Sequence, residues 1–498
     1  MTTASPRLRV VIIGAGFGGV GAAIELREHG FDDITILEAG PAVGGTWLHN
    51  TYPGAACDVP SPFYSYSYAK RDDWKHLCAH GPDILEYLQD VARTRGIDRL
   101  VVPNTRVESA DWDTGAACWK LVAEDGRRWE AEALIVATGQ LNQPKTVNIP
   151  EMDSFAGHVF HCARWEHDHD LTGKRVGVIG NGPSAVQFVP PIAPRTAHLT
   201  VFQRSANWFL PRRNIPYPGF VRDGIQKIPG LQDFRRGFWF EYCEALTVAI
   251  RHPETLGAAM AARSKAFMRW QLRGGSPELI AKATPDYPFG CKRVVFSSHF
   301  LRTLTRPNVS LVTDRIVAAE PQGLRTADGR LHQMDTVIWA TGFASNDFMF
   351  PLAITGRDGV TLHEAWKDGA HAHLGMTVPG FPSMFVLYGP NTNTSGGSII
   401  WYLEQQVRYV RQALELVRSR GAVALEVRPD VEAASDTALQ ARFANTAWTG
   451  GCDSWYLDRG RNVANWPGYM AQYRKAVRTV DPAQFQLIPQ PSLTARQT

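Results

Sequence analysis

The sequence predicts an α/β protein built from two Rossmann-like dinucleotide-binding domains, with a helical insertion in the second. Three observations predict it. The apolar run Arg9–Ile13 leads into Gly14-Ala-Gly-Phe-Gly-Gly19 and a helical stretch to about Gly30. The same order returns at Arg175–Ile179, Gly180-Asn-Gly-Pro-Ser-Ala185 and the helical stretch behind it. Two further apolar strands, Ala133–Gly139 and Thr336–Gly342, end in the same triplet, Ala-Thr-Gly. An unbroken apolar run suits a parallel strand buried on both faces, and a strand–glycine turn–helix met twice divides the chain into two nucleotide-binding units.

In the first unit, Gly14, Gly16 and Gly19 permit a tight bend and bring a pyrophosphate close to backbone N–H groups at a helix N-terminus. The strand Ile34–Leu37 then ends at Glu38, 22 positions after Gly16, where a carboxylate accepts from ribose hydroxyls. This unit fits FAD or NAD. In the second unit Gly180, Gly182 and Ser184 form the turn, with Ala185 in the third glycine's place. Arg204 stands 22 positions after Gly182, in the slot that Glu38 fills in the first unit. A carboxylate there repels a 2′-phosphate, whereas a guanidinium pairs with it, so this unit is expected to take NADPH rather than NADH. Different ribose chemistry implies two cofactors, one of them a flavin. No cysteine pair lies close to the first helix, which disfavours dithiol chemistry.

Between about 207 and 290 the character changes: Pro211, Pro216, Pro218 and Pro229 precede an aromatic-rich helical stretch. Phe234, Phe238, Tyr242 and Leu246 recur at four-residue spacing, with Trp239 and Ile250 nearby, and read as core packing. Trp208, Phe209, Phe238 and Trp239 hint at an apolar pocket, since insertions on such folds commonly carry specificity. From about 378 the chain returns to a strand, Met384–Tyr388, a polar loop at 389–398 and a long helix to about Arg420, a tail that would complete the first domain.

With 498 residues, 44% hydrophobic and 20% charged, the chain has the composition of a globular protein large enough for two or three domains. A net charge of +4 without any basic run excludes a nucleic-acid arm or a polybasic anchor. Cysteines 57, 78, 118, 162, 243, 291 and 452 are scattered, and read as buried or free thiols in a reducing compartment. No signal core or spanning segment is legible, so a cytoplasmic protein without integral membrane contact is expected. His167, His169, His371 and His373 lack further ligands at sensible spacing; they read as solvated surface, and no metal is expected.

The stretch Phe155-Ala-Gly157-His-Val-Phe-His161-Cys-Ala-Arg-Trp165 resembles the fingerprint of the type I Baeyer–Villiger monooxygenases, with Glu166 where Pro or Asp is usual. Gly44-Gly45-Thr46-Trp47, then Tyr52-Pro53-Gly54 and Asp58, resemble that family's second signature. Gly389-Pro-Asn-Thr-Asn393 and Cys452-Asp-Ser-Trp-Tyr456 look closest to the branch containing 4-hydroxyacetophenone monooxygenase, and the likeness runs over nearly the whole chain. Cys291-Lys292-Arg293, followed by Arg306-Pro-Asn-Val309, matches a Lys-Arg pair of the family. The resemblance implies Arg293 as the catalytic arginine, Lys292 as a binder of the NADPH phosphate, and Asp58 as the group that holds Arg293. It also implies Gly45, Thr46, Trp47, Thr341 and Asn391 on the cofactor side. His161 and Trp165 read as hinge or cofactor-proximal residues. One departure stands out: relatives often carry an arginine two residues before the aspartate, and here that residue is Ala56.

The implied division is FAD domain 1–150, NADP domain 151–210, helical insertion 211–290, NADP domain again 291–345, and FAD domain again 346–498. The implied reaction is NADPH- and O₂-dependent conversion of a small-molecule ketone to an ester or lactone through a C4a-peroxyflavin. Such a peroxide stays deprotonated beside a fixed cation, and arginine suits because it keeps its charge. A sulfur- or nitrogen-oxygenating flavin monooxygenase and a non-oxygenating FAD/NADPH flavoprotein stand as alternatives.

Overall fold

The computed structural model describes residues 8–490, apart from residues 213, 347, 350, 395, 450 and 453. Two five-stranded sheets organise the chain, and all neighbouring strands in both are parallel. The first runs in the order Met384–Val386, Ala133–Val136, Val10–Ile13, Ile34–Leu37, Val101–Val102. The second runs Val309–Val312, His198–Phe202, Arg175–Ile179, Thr336–Trp339, His158–His161. In each, the central strand is the one that opens into a glycine turn, so the chain reverses direction across the sheet at that strand and leaves a crevice at its C-terminal end.

The repeated Ala-Thr-Gly triplet has a steric cause. Gly14 has φ +104°, and a Cβ added to it would lie 2.6 Å from the Ala137 carbonyl oxygen. Gly180 has φ +112°, and its added Cβ would lie 2.4 Å from the Ala340 oxygen. In both sheets the glycine turn is pressed against the end of the neighbouring strand, which only a residue without Cβ at positive φ allows.

The tail joins the first sheet. Met384–Val386 pairs with Leu134–Val136, and helix Ile399–Ser419 packs on helix Phe17–Glu28. Arg411 Nε reaches Glu25 Oε1 at 2.9 Å across that contact. Smaller sheets sit on each half: Val107–Asp113, Cys118–Ala123 and Arg128–Ala131 with Ala353–Thr355, and Ile316–Glu320, Gly323–Thr326 and Leu331–Gln333.

Between the strands of the second sheet lie helices Gly219–Lys227, Leu231–Arg251, Ala258–Gln271 and Pro277–Ala283. The aromatic stripe expected in the core is on the outside: Phe234 is 71% and Phe238 54% exposed, with Tyr242 beside them. Helix Leu231–Arg251 instead turns Phe240, Cys243, Thr247 and Ile250 inward. Phe240 meets Phe63 at 6.1 Å and Trp401 at 5.6 Å, and Arg236 reaches the buried Glu404 at 3.5 Å. Both stripes have helical period, so spacing alone does not select the buried one.

The cysteine reading also needs correction. Cys291 and Cys452 form a disulfide with Cα atoms 6.3 Å apart, while Cys57, Cys78, Cys118, Cys162 and Cys243 are free and buried. The partners are 161 positions apart, and only the fold brings them together. Nor are His371 and His373 solvated surface: His371 Nδ1 lies 2.8 Å from Glu432 Oε1, and the buried His373 meets Gln484 at 3.2 Å.

Candidate active site

A continuous cavity of about 1110 Å³ runs between the two sheets and reaches both glycine turns. Gly14, Gly16, Glu38, Gly45, Thr46, Trp47 and Asp58 line it on the first side. Gly180, Gly182, Ser184, Arg204, Lys292, Arg293 and Thr341 line it on the second.

Both turns are built to receive an anion. Helix Phe17–Glu28 starts at Gly16 and helix Pro183–Ile192 at Gly182, and neither first turn has a side-chain cap. Their leading N–H groups therefore await an external acceptor, and the positive end of each helix dipole faces the cavity. A Cβ added at Gly182 or Gly342 would meet nothing within 4 Å, so the backbone there lies bare. Gly45, at φ +53°, packs on the first turn; its added Cβ would lie 2.9 Å from Gly16 Cα.

The two ends of the cavity differ in charge, with Glu38 on one wall and Arg204 on the other. The Glu38 carboxylate is buried and accepts from the backbone N–H of Ala15 and of Gly40, each at 2.6 Å. Two such bonds leave lone pairs for hydroxyl donors. Across the cavity, Lys292 Nζ donates to Ser205 Oγ at 2.9 Å and sits 4.8 Å from the centre of the Tyr287 ring, one residue along from Arg204. The acceptor on the Glu38 side fits ribose hydroxyls, and the cations on the Arg204 side fit a phosphorylated dinucleotide.

Between the slots stands an ion pair. Arg293 Nη2 donates to Asp58 Oδ1 at 2.9 Å and to Oδ2 at 2.7 Å. The Arg293 side chain is 42% open, but the surface it opens onto is that of the cavity. Burial pushes the Asp58 carboxyl up, and the charge and hydrogen bonds of Arg293, then the charge of Arg212, bring it below its ordinary value. Asp58 in turn raises Arg293 against its own burial cost. Both groups stay charged across the neutral range. Tyr388, also on the cavity wall, is pushed up to about 12 by burial and stays a neutral phenol.

Some expected residues lie elsewhere. Gly19 is not on the cavity wall: its added Cβ would collide with the Gly14 oxygen at 1.9 Å, which marks a helix-packing role. Asn391, buried at φ +57°, donates through Nδ2 to the Asn462 and Asn465 carbonyls and braces its own loop. His161 and Trp165 are buried without lining the cavity; Trp165 packs on Phe160 and Phe188. Glu166 holds His158 at 2.6 Å. Trp208 and Phe209 belong to the core beneath the second sheet, and no described residue of the helical insertion lines the cavity.

Gln187 was not legible in advance. From helix Pro183–Ile192 it accepts from Tyr52 Oη and the Ala56 N–H, and donates to the Ala56 oxygen at 2.9 Å. It fastens the Asp58 loop to the second half of the molecule. Ser454 and Trp455 belong to the Cys452–Tyr456 motif, but their place on the cavity wall has no signature in spacing.

Residues 11–217 match the family described as pyridine nucleotide-disulphide oxidoreductase. A Baeyer–Villiger monooxygenase of Streptomyces coelicolor is 39% identical over 97% of this chain and 93% of its own length. Among solved structures, an oxidized steroid monooxygenase bound to NADP superposes with TM-score 0.85 at 31% identity, over 97% of this chain and 99% of that one. An OTEMO complex with FAD and NADP gives 0.87 at 28%, over 97% and 100%. A sulfur- or nitrogen-oxygenating or non-oxygenating flavoprotein is not favoured by these relatives. The chain belongs to the Baeyer–Villiger monooxygenases, enzymes that work with FAD and NADPH.

Proposed function

We propose that Arg293 and Asp58 carry the ketone step of this monooxygenase, and that its substrate is a small-molecule ketone converted to an ester or lactone. The observation that supports this most is the placement of one ion pair, Arg293–Asp58, on the wall of a cavity that also reaches both dinucleotide turns. FAD would lie along Gly14, Gly16 and Glu38 with Gly45, Thr46 and Trp47, and NADPH along Gly180, Gly182, Ser184, Arg204 and Lys292 with Thr341. Once reduced by NADPH, the flavin supplies the activated oxygen from O₂.

The chain's own residues supply charge and placement. Arg293 holds positive charge where negative charge gathers on the ketone oxygen as its carbonyl carbon is attacked, and a cation fixed in advance needs no reorganisation at that moment. It has no proton to lose at neutral pH. Asp58 sets the guanidinium plane through two bonds to one nitrogen and acts as an orienter, since its carboxyl stays ionised. Gln187 and Lys292 tie this centre to the NADP side. The reading takes in neither metal nor nucleic acid. No helix among the described residues is long and apolar enough to cross a membrane, and a cytoplasmic place of action is proposed from the demand for NADPH.

The purified yellow protein should be given NADPH, labelled O₂ and a panel of aryl, cyclic and linear ketones with one thioether. An ester or lactone carrying one labelled oxygen supports the reading and identifies the ketone class. Sulfoxide as the sole product, or NADPH consumed with only peroxide released, counts against it.

A further inference from the structure

Two guanidinium groups converge on one loop: Arg293 holds the Asp58 carboxylate, and Arg212 holds the carbonyl of Cys57 just before it. Strand Phe209–Leu210 pairs in parallel with strand Val295–Phe296, with Phe209 opposite Val295 and Leu210 opposite Phe296. Arg293 lies just before the second of these strands and Arg212 just after the first. The Arg212 backbone is fastened on both sides to Ser298: its N–H donates to Ser298 Oγ at 3.1 Å, and that hydroxyl donates to the Arg212 oxygen at 2.8 Å. From there Arg212 Nη2 donates to the Cys57 carbonyl at 2.7 Å, the peptide directly before Asp58. The same stretch of the Asp58 loop is held from the other side by Gln187 on Ala56.

We propose that Arg212 is a positioning residue: its guanidinium clamps the Cys57 carbonyl and stands as a second positive charge beside Asp58, so that Asp58 presents Arg293 in one orientation. This rests on the roles read above for Asp58 and Arg293. Three consequences of the geometry support it. A lone Arg293–Asp58 pair is neutral, whereas Arg212, bonded to the neighbouring peptide behind the cavity wall, leaves one net positive charge on the three groups together. The Arg212 charge lowers the Asp58 carboxyl in addition to the larger effect of Arg293. And the position next to Cys57 carries Ala56, a side chain without charge, so the second cation comes from a distant strand instead. The ribbon that carries both arginines thus couples the loop on the FAD side to the segment of the second half that bears Lys292 and Arg293.

The test is a double-mutant cycle on the FAD-loaded enzyme, read as ester formed per NADPH consumed, with melting temperature measured alongside. A charge-assisted hydrogen bond is worth roughly one to two orders of magnitude in an equilibrium. Arg212→Met, which keeps the apolar stem, should therefore lower coupled oxygenation by at least about tenfold, while the protein still melts cooperatively, lower by only a few degrees. Arg212→Lys should recover much of the loss. In an Asp58→Asn background Arg212→Met should cost almost nothing more, because residues acting through one another are not additive. Wild-type coupling in Arg212→Met, or losses that multiply in the double variant, would overturn the proposal. A second readout needs no ketone. Amide hydrogen exchange of the peptides around Cys57–Val59 and Cys291–Val295 should quicken in Arg212→Met and return in Arg212→Lys. Unchanged exchange in both peptides overturns the clamp even if no ketone is turned over by the wild type, an outcome that would itself count only against the ketone reading.

Discussion

At the scale of single residues, charge decides. Glu38 and Arg204 both line the cavity, each 22 positions after a glycine of its turn, because a βαβ unit fixes the distance from its turn to the end of its second strand. Replacing Arg204 with Ala should weaken NADPH binding by roughly ten- to a hundredfold, the worth of a charge-assisted bond to phosphate. NADH binding should hardly change. Titration of the flavin absorbance with each nucleotide measures both, and equal losses would remove Arg204 from the 2′-phosphate. In the proposed reaction Arg293 acts at a later step. Arg293→Ala should keep its yellow colour and its reduction by NADPH yet lose ketone oxygenation by about 100-fold or more, as for the loss of one preorganised donor to an oxyanion. Normal ester formation by that variant would take Arg293 out of the reaction. The partners of these residues were harder to read. Arg212 reaches Cys57 across 155 positions and Gln187 reaches Ala56 across 131, through packing between the two sheets that no local spacing encodes.

At the scale of elements, the turns were legible and the faces were not. Gly14 and Gly180 had to be glycine because a carbonyl of the next strand stands where a Cβ would go, so a backbone constraint wrote itself into the sequence. Helix Leu231–Arg251 carries aromatic residues on two sides, and which side is buried follows from Phe63, Trp401 and Glu404 on the first half of the molecule. Its outer stripe is exposed and does not line the cavity, so Phe238→Ser should leave NADPH consumption and product formation unchanged. The Cys291–Cys452 link joins the segment that leads into Lys292 and Arg293 to the segment whose Ser454 and Trp455 line the cavity. A disulfide closing so long a loop contributes about 2–4 kcal/mol by restricting the unfolded chain. Cys452→Ser should therefore melt several degrees below the wild type, and a dithiol reductant should bring the wild type down to the same temperature while leaving the variant unmoved. Mass analysis that finds both thiols free, with melting indifferent to reductant, would show the link absent. In a cytoplasm rich in thiols such a bond would be under constant reduction, which makes the comparison with reductant the informative one.

At the scale of the whole molecule, the first sheet is completed by chain that arrives only after the second sheet has been built. Met384–Val386 supplies its edge strand beside Ala133–Val136, and helix Ile399–Ser419 covers helix Phe17–Glu28. The return to a strand near 384 was visible as an apolar run after a proline- and glycine-rich stretch; the packing of the helix behind it was visible only as length. That helix buries Ile400, Trp401, Tyr402, Leu403, Val407, Tyr409, Val410, Leu414 and Val417. Each large apolar side chain contributes about 1.5–3 kcal/mol on burial, against a net stability of only about 5–15 kcal/mol for a folded protein. A chain ending at residue 377 keeps Gly14, Gly16, Glu38, Gly45, Thr46 and Trp47, every group proposed to touch FAD on the first side, yet loses far more burial than the fold can spare. It should purify colourless or insoluble, and the separately expressed segment 378–498 should restore flavin binding when the two are refolded together. A truncated protein that retains FAD with the stoichiometry of the full chain would mean that residues 1–150 form a complete flavin domain without the tail, and that the edge strand and its helix serve only to close the cavity.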